Sequence, residues 1–318
     1  MANASDRMLV MTLANPTPSS TTVFERGWLS SNNVLLHGDG EGAVLVDSGH
    51  VLHAAQTVAL VRAALRDEPL VTVVNTHLHS DHCGGNAALQ RAFGCQLHIP
   101  PGQWAAVQAW DEVALTYAPT GQHCERFSAD AQLQPGQMLR VGRQQWQAFA
   151  APGHDPHSLI LFNDHEGVVI TADALWERGF GIVFPELEGE SGFDEAEQVL
   201  DLIESLGARR AIPGHGAPFD GVAAALVLAR QKLAAFRASP QRHARHAMKA
   251  LVKYHLLEEQ QQALPALLQW FTGVSMYRSV WQRLGCPGGS LEDFGEQVVQ
   301  ELAAAGVLAL REGVVYNG

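Results

Sequence analysis

The sequence predicts an α/β protein that ends in a smaller, mostly helical domain. Two observations carry that expectation. Short buried-strand runs alternate with helix-like runs through the first two thirds of the chain, the order from which mixed sheets are built. After Pro218 the residues turn Ala-, Leu- and Gln-rich with helical spacing. A dense run of histidine and aspartate directly behind one of the strands adds an active-site signature to the fold signature.

Taken in order, Val44-Leu45-Val46 is an apolar run stopped by Asp47-Ser48-Gly49 and reads as a buried strand with a turn at its C-terminal end. Ala54 to Leu65 has helical spacing and is closed by charge and Pro69. Leu70 to Asn75 is the next buried strand. Gly84-Gly85-Asn86 leads into a helix through Arg91, and Cys95 to Ile99 is a strand ended by Pro100-Pro101. Residues 102–125 form a less regular insert with Trp104, Trp110 and Tyr117. Residues 139–150 and 158–171 supply strands of a second sheet, the latter folded at a hairpin over 163–167. Phe193 to Leu206 is an amphipathic helix, and Ala211-Ile212-Pro213 a last short strand before Gly214-His215-Gly216. The C-terminal run from Leu302 to Tyr316 reads as a helix and then a β-hairpin, the way a winged helix finishes.

With 318 residues the chain suits two domains, at roughly 100–200 residues each, and the change after Pro218 divides it into residues 1–220 and 221–318. The charge divides too. Residues 221–318 hold 10 basic and 7 acidic side chains, whereas 1–220 hold 11 basic and 26 acidic, a net of −15. Such a surface suits neither nucleic acid nor an anionic membrane. No apolar stretch approaches the roughly 18 residues of a membrane span. Met1 to Pro18 lacks the basic start and apolar run of a secretory leader. The four cysteines, Cys83, Cys95, Cys124 and Cys286, form neither a C-x-x-C pair nor a disulfide framework, which fits a reducing, cytoplasmic setting.

The chemistry centres on Asn75-Thr76-His77-Leu78-His79-Ser80-Asp81-His82-Cys83-Gly84-Gly85. At an extended strand end, residues two apart point the same way, so His77 and His79 can reach one metal. The turn into a helix swings Asp81 and His82 towards the same cavity. Imidazoles and carboxylate in this mixture suit zinc best, and iron and manganese also accept them. His154, Asp173 and His215 each end a later strand and complete the constellation. Cys83 follows the run as a small packing residue. The scattered His37, His50, His53, His98, His123 and His165 are read as structural.

In these motifs, over about residues 22–218, the sequence resembles the metallo-β-lactamase superfamily, in the branch of glyoxalase II-type thioesterases. The resemblance implies an αββα sandwich with two divalent ions at one edge, between the sheets. It implies that His77, His79 and His154 hold the first ion, that Asp81, His82 and His215 hold the second, and that Asp173 bridges them. Asp47 then matches an aspartate that orients a ligand imidazole, and Asp81 is placed to orient the attacking hydroxide. One departure stands out. Many relatives carry Thr-Pro-Gly-Ser after the histidine, where this chain has Asp155-Pro156-His157-Ser158. His157 is therefore a candidate catalytic or substrate-facing group, or else a turn residue.

Three segments are candidates to line a pocket: Gly27 to Asn33, Leu175 to Phe184, and the insert with its tryptophans, whose alternative place is the core. Arg242, Arg245, Lys249 and Lys253, beside His246, recur at helical spacing and form one basic face. That face is solvated, meets the anionic part of a substrate, such as a glutathione carboxylate or a coenzyme A phosphate, or meets nucleic-acid phosphate, which the net charge of the first 220 residues disfavours. The combined expectation is a binuclear hydrolase in which metal-bridging hydroxide attacks a thioester or ester of a small acidic molecule. The rival readings are a lactonase or endoribonuclease of the same fold, and a non-catalytic regulatory binder that keeps the metals.

Overall fold

The computed structural model describes residues 20–65 and 67–318; the expectation about a leader at Met1 to Pro18 lies outside the described residues. Six strands form the first sheet in chain order: β1 (Thr21–Phe24), β2 (Asn33–Leu36), β3 (Ala43–Val46), β4 (Leu70–Val74), β5 (Gln96–Ile99) and β6 (Ala131–Gln132). The first three pair antiparallel, and β3 through β6 pair parallel. Parallel neighbours need crossovers. These are α1 (Ala54–Ala64), then α2 (Ser80–Cys83) with α3 (Asn86–Phe93), then α4 (Trp104–Ala109) with α5 (Tyr117–Thr120).

The second sheet contains β7 (Met138–Val141), β8 (Gln144–Ala150), β9 (Leu159–Asn163), β10 (Val168–Ala172) and β11 (Arg210–Pro213), ordered β11-β10-β9-β8-β7. The expected strand over 139–150 is thus two strands, broken by a turn at Gly142, whose φ of 54° is left-handed. Between β10 and β11 lie α6 (Phe184–Glu188) and α7 (Phe193–Ser205).

Strand periodicity explains the layering. Every residue of β3 is buried, but alternate ones face opposite ways. Val44 and Val46 join Val34, Leu36 and Val74 against Trp146, Leu159, Leu161 and Ile170 of the second sheet, forming the core between the sheets. Ala43 and Leu45 pack outward with Leu35, Val73 and Leu97 against Leu60, Val61 and Leu89 of the helices. On the other side Ile160, Phe162 and Val169 pack against Val199, Leu200 and Ile203 of α7. The layers run helix, sheet, sheet, helix. Each fully buried aliphatic side chain stabilises this stack by roughly 1.5–3 kcal/mol relative to exposure.

Helix α8 (Val222–Ala238) buries Leu226, Ala229, Leu233 and Phe236 in the same core as α7. By packing it goes with the sandwich, although the change in composition at 220/221 lies before it. Chain character changed earlier than the core did.

The remaining elements are α9 (Pro240–Glu259), β12 (Gln261–Ala263), α10 (Leu264–Gly273), α11 (Ser275–Arg283), α12 (Leu291–Ala304), β13 (Leu308–Arg311) and β14 (Val314–Asn317). The final hairpin takes β12 as a third strand, in the order β12-β14-β13. Their core of Met248, Leu251, Phe271, Phe294 and Val298 includes Leu187 of α6, with Phe184 packed against it. The C-terminal unit is therefore seated on the loop that follows Asp173. Among the described residues no helix is long and apolar enough to cross a membrane.

Candidate metal centre

The centre is built where strand ends of both sheets meet. After β4 the chain stays extended as far as His79, whose φ and ψ are −65° and 150°, so His77 and His79 share a direction. The chain then turns into α2, which carries Asp81 and His82 in its single turn. His154 comes from the β8–β9 turn, Asp173 follows β10 and His215 follows β11. Ala172, just before Asp173, has a φ of 45°, left-handed for a residue with a Cβ, and strain of this kind gathers at functional sites. Gly214 is required by close approach: a Cβ there would lie 2.2 Å from Asp173 Oδ1 and 3.0 Å from His82 Cε1.

Two groups of side chains could each hold a metal ion: His77, His79 and His154, and Asp81, His82, Asp173 and His215. All seven are buried, and within each group the donor atoms lie within 4.8 Å of one another. In the first, His79 Nδ1 is 3.1 Å from His77 Nε2 and 2.9 Å from His154 Nε2. In the second, His215 Nε2 is 3.0 Å from Asp81 Oδ2, and His82 Nε2 is 3.5 Å from Asp173 Oδ1. Asp173 also presents Oδ2 to His154 Nε2 at 3.5 Å, so its carboxylate faces both groups.

The electrostatics fit cations. Burial, joined by repulsion from His82 and its neighbours, pushes His77 well below the usual imidazole range, and burial with His154 lowers His79 to about 4. Neutral imidazoles with lone pairs converging on one buried point are metal ligands in waiting. Burial opposes charge on His82, but the carboxylates of Asp173, Asp47 and Asp81 outweigh it and hold that imidazole well above its usual value. Burial likewise opposes charge on Asp173, and His82 and His215 overcome it, holding the carboxyl well below the ordinary range. A divalent ion held there would balance the same buried carboxylate charge. His82 Nε2 itself is buried and has no hydrogen-bond partner.

The outer nitrogens are held from behind. Asp47 accepts from His82 Nδ1 at 2.8 Å, from the Thr76 amide at 2.8 Å and from Thr76 Oγ1 at 2.8 Å. His154 Nδ1 donates to Ile182 O at 2.6 Å. Asp47 has a φ of 59°, another strained position beside the centre. These contacts fix ring orientation and tautomer.

Around the centre stand aromatic rings. Trp28, 58% exposed, stacks on His215 with centroids 5.2 Å apart and planes 11° apart. Trp176 meets both edge-on and donates from Nε1 to Asp173 Oδ1 at 3.2 Å. Phe184 lies 4.7 Å from His79. The early loop and the loop after Asp173 therefore flank the two donor groups. The insert does not: Trp104 and Trp110 pack on the first helical layer, and Tyr117 is buried there with its hydroxyl 3.1 Å from Cys83 Sγ. Cys83 is a fully buried packing residue.

Two other sequence expectations meet a different setting. His157 belongs to neither donor group among the described residues; its ring packs over Gly102, and its amide donates to Asp155 Oδ1 at 2.7 Å. The basic face of α9 turns to its own unit. Arg245 and Lys249 both pair with Glu301 of α12, and Lys253 Nζ donates to Val307 O at 2.9 Å and to the Asn317 side chain. Residue spacing showed the face but not its occupant. Asp155 carries no local signal of a role, because an Asp-Pro pair reads first as a turn.

The metallo-beta-lactamase superfamily model matches residues 26–215. Similar proteins include a hydroxyacylglutathione hydrolase of Nitrobacter winogradskyi, 28% identical over 48% of this chain and 50% of that one. Another, from Anaeromyxobacter dehalogenans, is 29% identical over 65% of this chain and 70% of that one. An atrochrysone carboxyl ACP thioesterase of Aspergillus fumigatus is 26% identical over 61% and 53%. The chain spans about half the length of the first of these relatives. Among solved structures, a beta-lactamase domain protein from Burkholderia ambifaria shares the fold over 96% of this chain and 94% of its own, with a TM-score of 0.56 and 19% identity. With its fold, its paired donor groups and the family match over 26–215 in agreement, the chain belongs to the metallo-β-lactamase superfamily.

Proposed function

We propose that this chain is a binuclear metal-dependent hydrolase acting on a thioester or ester of a small acidic molecule. The observation that carries the reading is the pair of donor groups joined through the Asp173 carboxylate, with all seven ligands buried at one sheet edge. His77, His79 and His154 would hold one ion; Asp81, His82 and His215 the other; Asp173 would face both. Zinc suits these nitrogen and oxygen donors, and iron and manganese share the preference. Bound in this way, divalent ions supply hydroxide near neutral pH and polarise a substrate carbonyl.

The protein's own groups do the rest. Asp81, its Oδ2 3.0 Å from His215 Nε2, is placed to accept the proton of an attacking water and hold the nucleophile in line. Asp47 keeps His82 in the tautomer that leaves Nε2 free. Trp28 and Phe184 bound the approach to the metals and favour a substrate with an apolar part near the scissile bond. The thioester preference is supported by relatives named as a hydroxyacylglutathione hydrolase and an acyl-carrier thioesterase. An anion site on Arg245 and Lys249 has no such support, since Glu301 occupies both.

Charge speaks against nucleic acid as substrate. The helix before the terminal hairpin, α12, carries Glu292, Asp293, Glu296 and Glu301 and no lysine or arginine, and would repel phosphate. The test is turnover by the metal-loaded protein on a panel of acyl-glutathione and acyl-coenzyme A thioesters, lactones, phosphodiesters and RNA. Thioester or ester hydrolysis is the expected result. Cleavage confined to RNA or phosphodiesters overturns the reading, and no turnover at all favours a metal-retaining binder.

A further inference from the structure

Each ligand histidine has two ring nitrogens, one for the metal and one facing away, and what stands behind the second tunes the first. His77 has Thr76 Oγ1 at 3.1 Å, His154 has Ile182 O at 2.6 Å and His82 has Asp47 Oδ2 at 2.8 Å. His79 differs from its neighbours in the first group. It turns Nδ1 to the other two donors, which leaves Nε2 on the outer edge of the ring, and there Asp155 Oδ2 stands 3.7 Å away. Asp155 is 3% exposed.

The Asp155 carboxylate is fixed in place. Its Oδ1 accepts the His157 amide at 2.7 Å, and its main-chain carbonyl accepts the Ser158 amide at 3.2 Å. One oxygen is committed to the turn and the other is left facing His79. A threonine, the residue many relatives carry at this position, could keep a turn bond but offers no second oxygen and no charge.

We propose that Asp155 is a positioning residue of the first metal group: its carboxylate, at ion-pair distance from His79 Nε2, favours the proton on that nitrogen, keeps the Nδ1 lone pair aimed at the ion and makes Nδ1 a stronger donor. Asp47 acts on His82 by a direct hydrogen bond and Asp155 on His79 from ion-pair distance, so each metal group is backed by one buried carboxylate. The consequence is a tighter first site than a threonine at this turn would give. Removing such a partner typically weakens metal binding about 10- to 100-fold.

The proposal rests on the metal-centre reading and is independent of the substrate. Its test is therefore a titration of stripped protein, without substrate, with zinc against a competing chromophoric chelator, and with cobalt followed by visible absorption. The variants are Asp155→Asn and Asp155→Thr; both retain an acceptor for the His157 amide, and far-UV circular dichroism checks their fold. The expected result is a loss of about 10-fold or more in affinity at one of the two sites, a shifted cobalt spectrum for that site alone, and an unchanged second site. Wild-type affinity and spectrum in both folded variants overturn the proposal, as does equal weakening of both sites, which marks a merely structural turn. A wild-type protein that binds no metal instead overturns the metal-centre reading itself.

Discussion

Asp173 Oδ2 lies 3.5 Å from His154 Nε2, while Oδ1 of the same carboxylate lies 3.5 Å from His82 Nε2. One side chain thus spans the two donor groups. Asp173→Ala should lose at least one ion per chain and nearly all hydrolysis, as measured by elemental analysis and turnover on the same sample. Full occupancy with a full rate would remove Asp173 from the centre.

Asp47 belongs to neither donor group, yet it holds His82 and the Thr76 amide. Asp47→Asn tolerates the left-handed backbone at this position and removes the charge. It should weaken the second metal site about 10- to 100-fold and leave the first within error. A chelator-competition titration resolves the two; equal behaviour to wild type would leave Asp47 as a turn residue.

Arg245 and Lys249 share Glu301, whose carboxyl their hydrogen bonds and charges hold down to about 2. Replacing either by alanine should cost about 1 kcal/mol or less, because the pairs are partly exposed and screened. Arg245→Glu with Lys249→Glu should lower the melting temperature further by repulsion. KM should stay alike for anionic and neutral substrates. A selective rise in KM for the anionic substrate would restore the basic face as a substrate patch.

His50, His243 and His246 lie outside the donor groups and burial lowers each to about 4, as it lowers His77 and His79 of the first group. As pH falls below about 6.5 the unfolded chain takes up protons at these positions and the folded chain does not. Stability should therefore drop between pH about 6.5 and about 4. His82 is raised, not lowered, so within that window it is protonated in both states and adds no slope there. Thermal melts of chelated protein across the window check this. A flat melting temperature would show that these imidazoles are not buried neutral.

Much of the centre was legible because its ligands sit at strand ends, where local spacing dictates direction. His77 and His79 alternate on extended backbone, and Asp81 and His82 follow in one helical turn. The sandwich was legible from buried strands whose alternate residues had to meet two different layers. What escaped depended on tertiary neighbours. Spacing put Arg245 and Lys249 on one face, but only the fold of α12 shows Glu301 lying across it. Asp155-Pro156 has the composition of a turn, and the approach of its carboxylate to a ring 76 residues earlier has no local signal. Helix α8 looked like the start of the C-terminal unit by composition, yet its apolar stripe complements α7.

The central claim is that hydrolysis by this chain depends on a two-ion centre. Metal content and thioester turnover, measured on one preparation before chelation, after chelation and after re-addition of metal, test it most directly. The account predicts two divalent ions per chain, turnover lost on chelation and restored by metal. Turnover that survives complete removal of metal would contradict it.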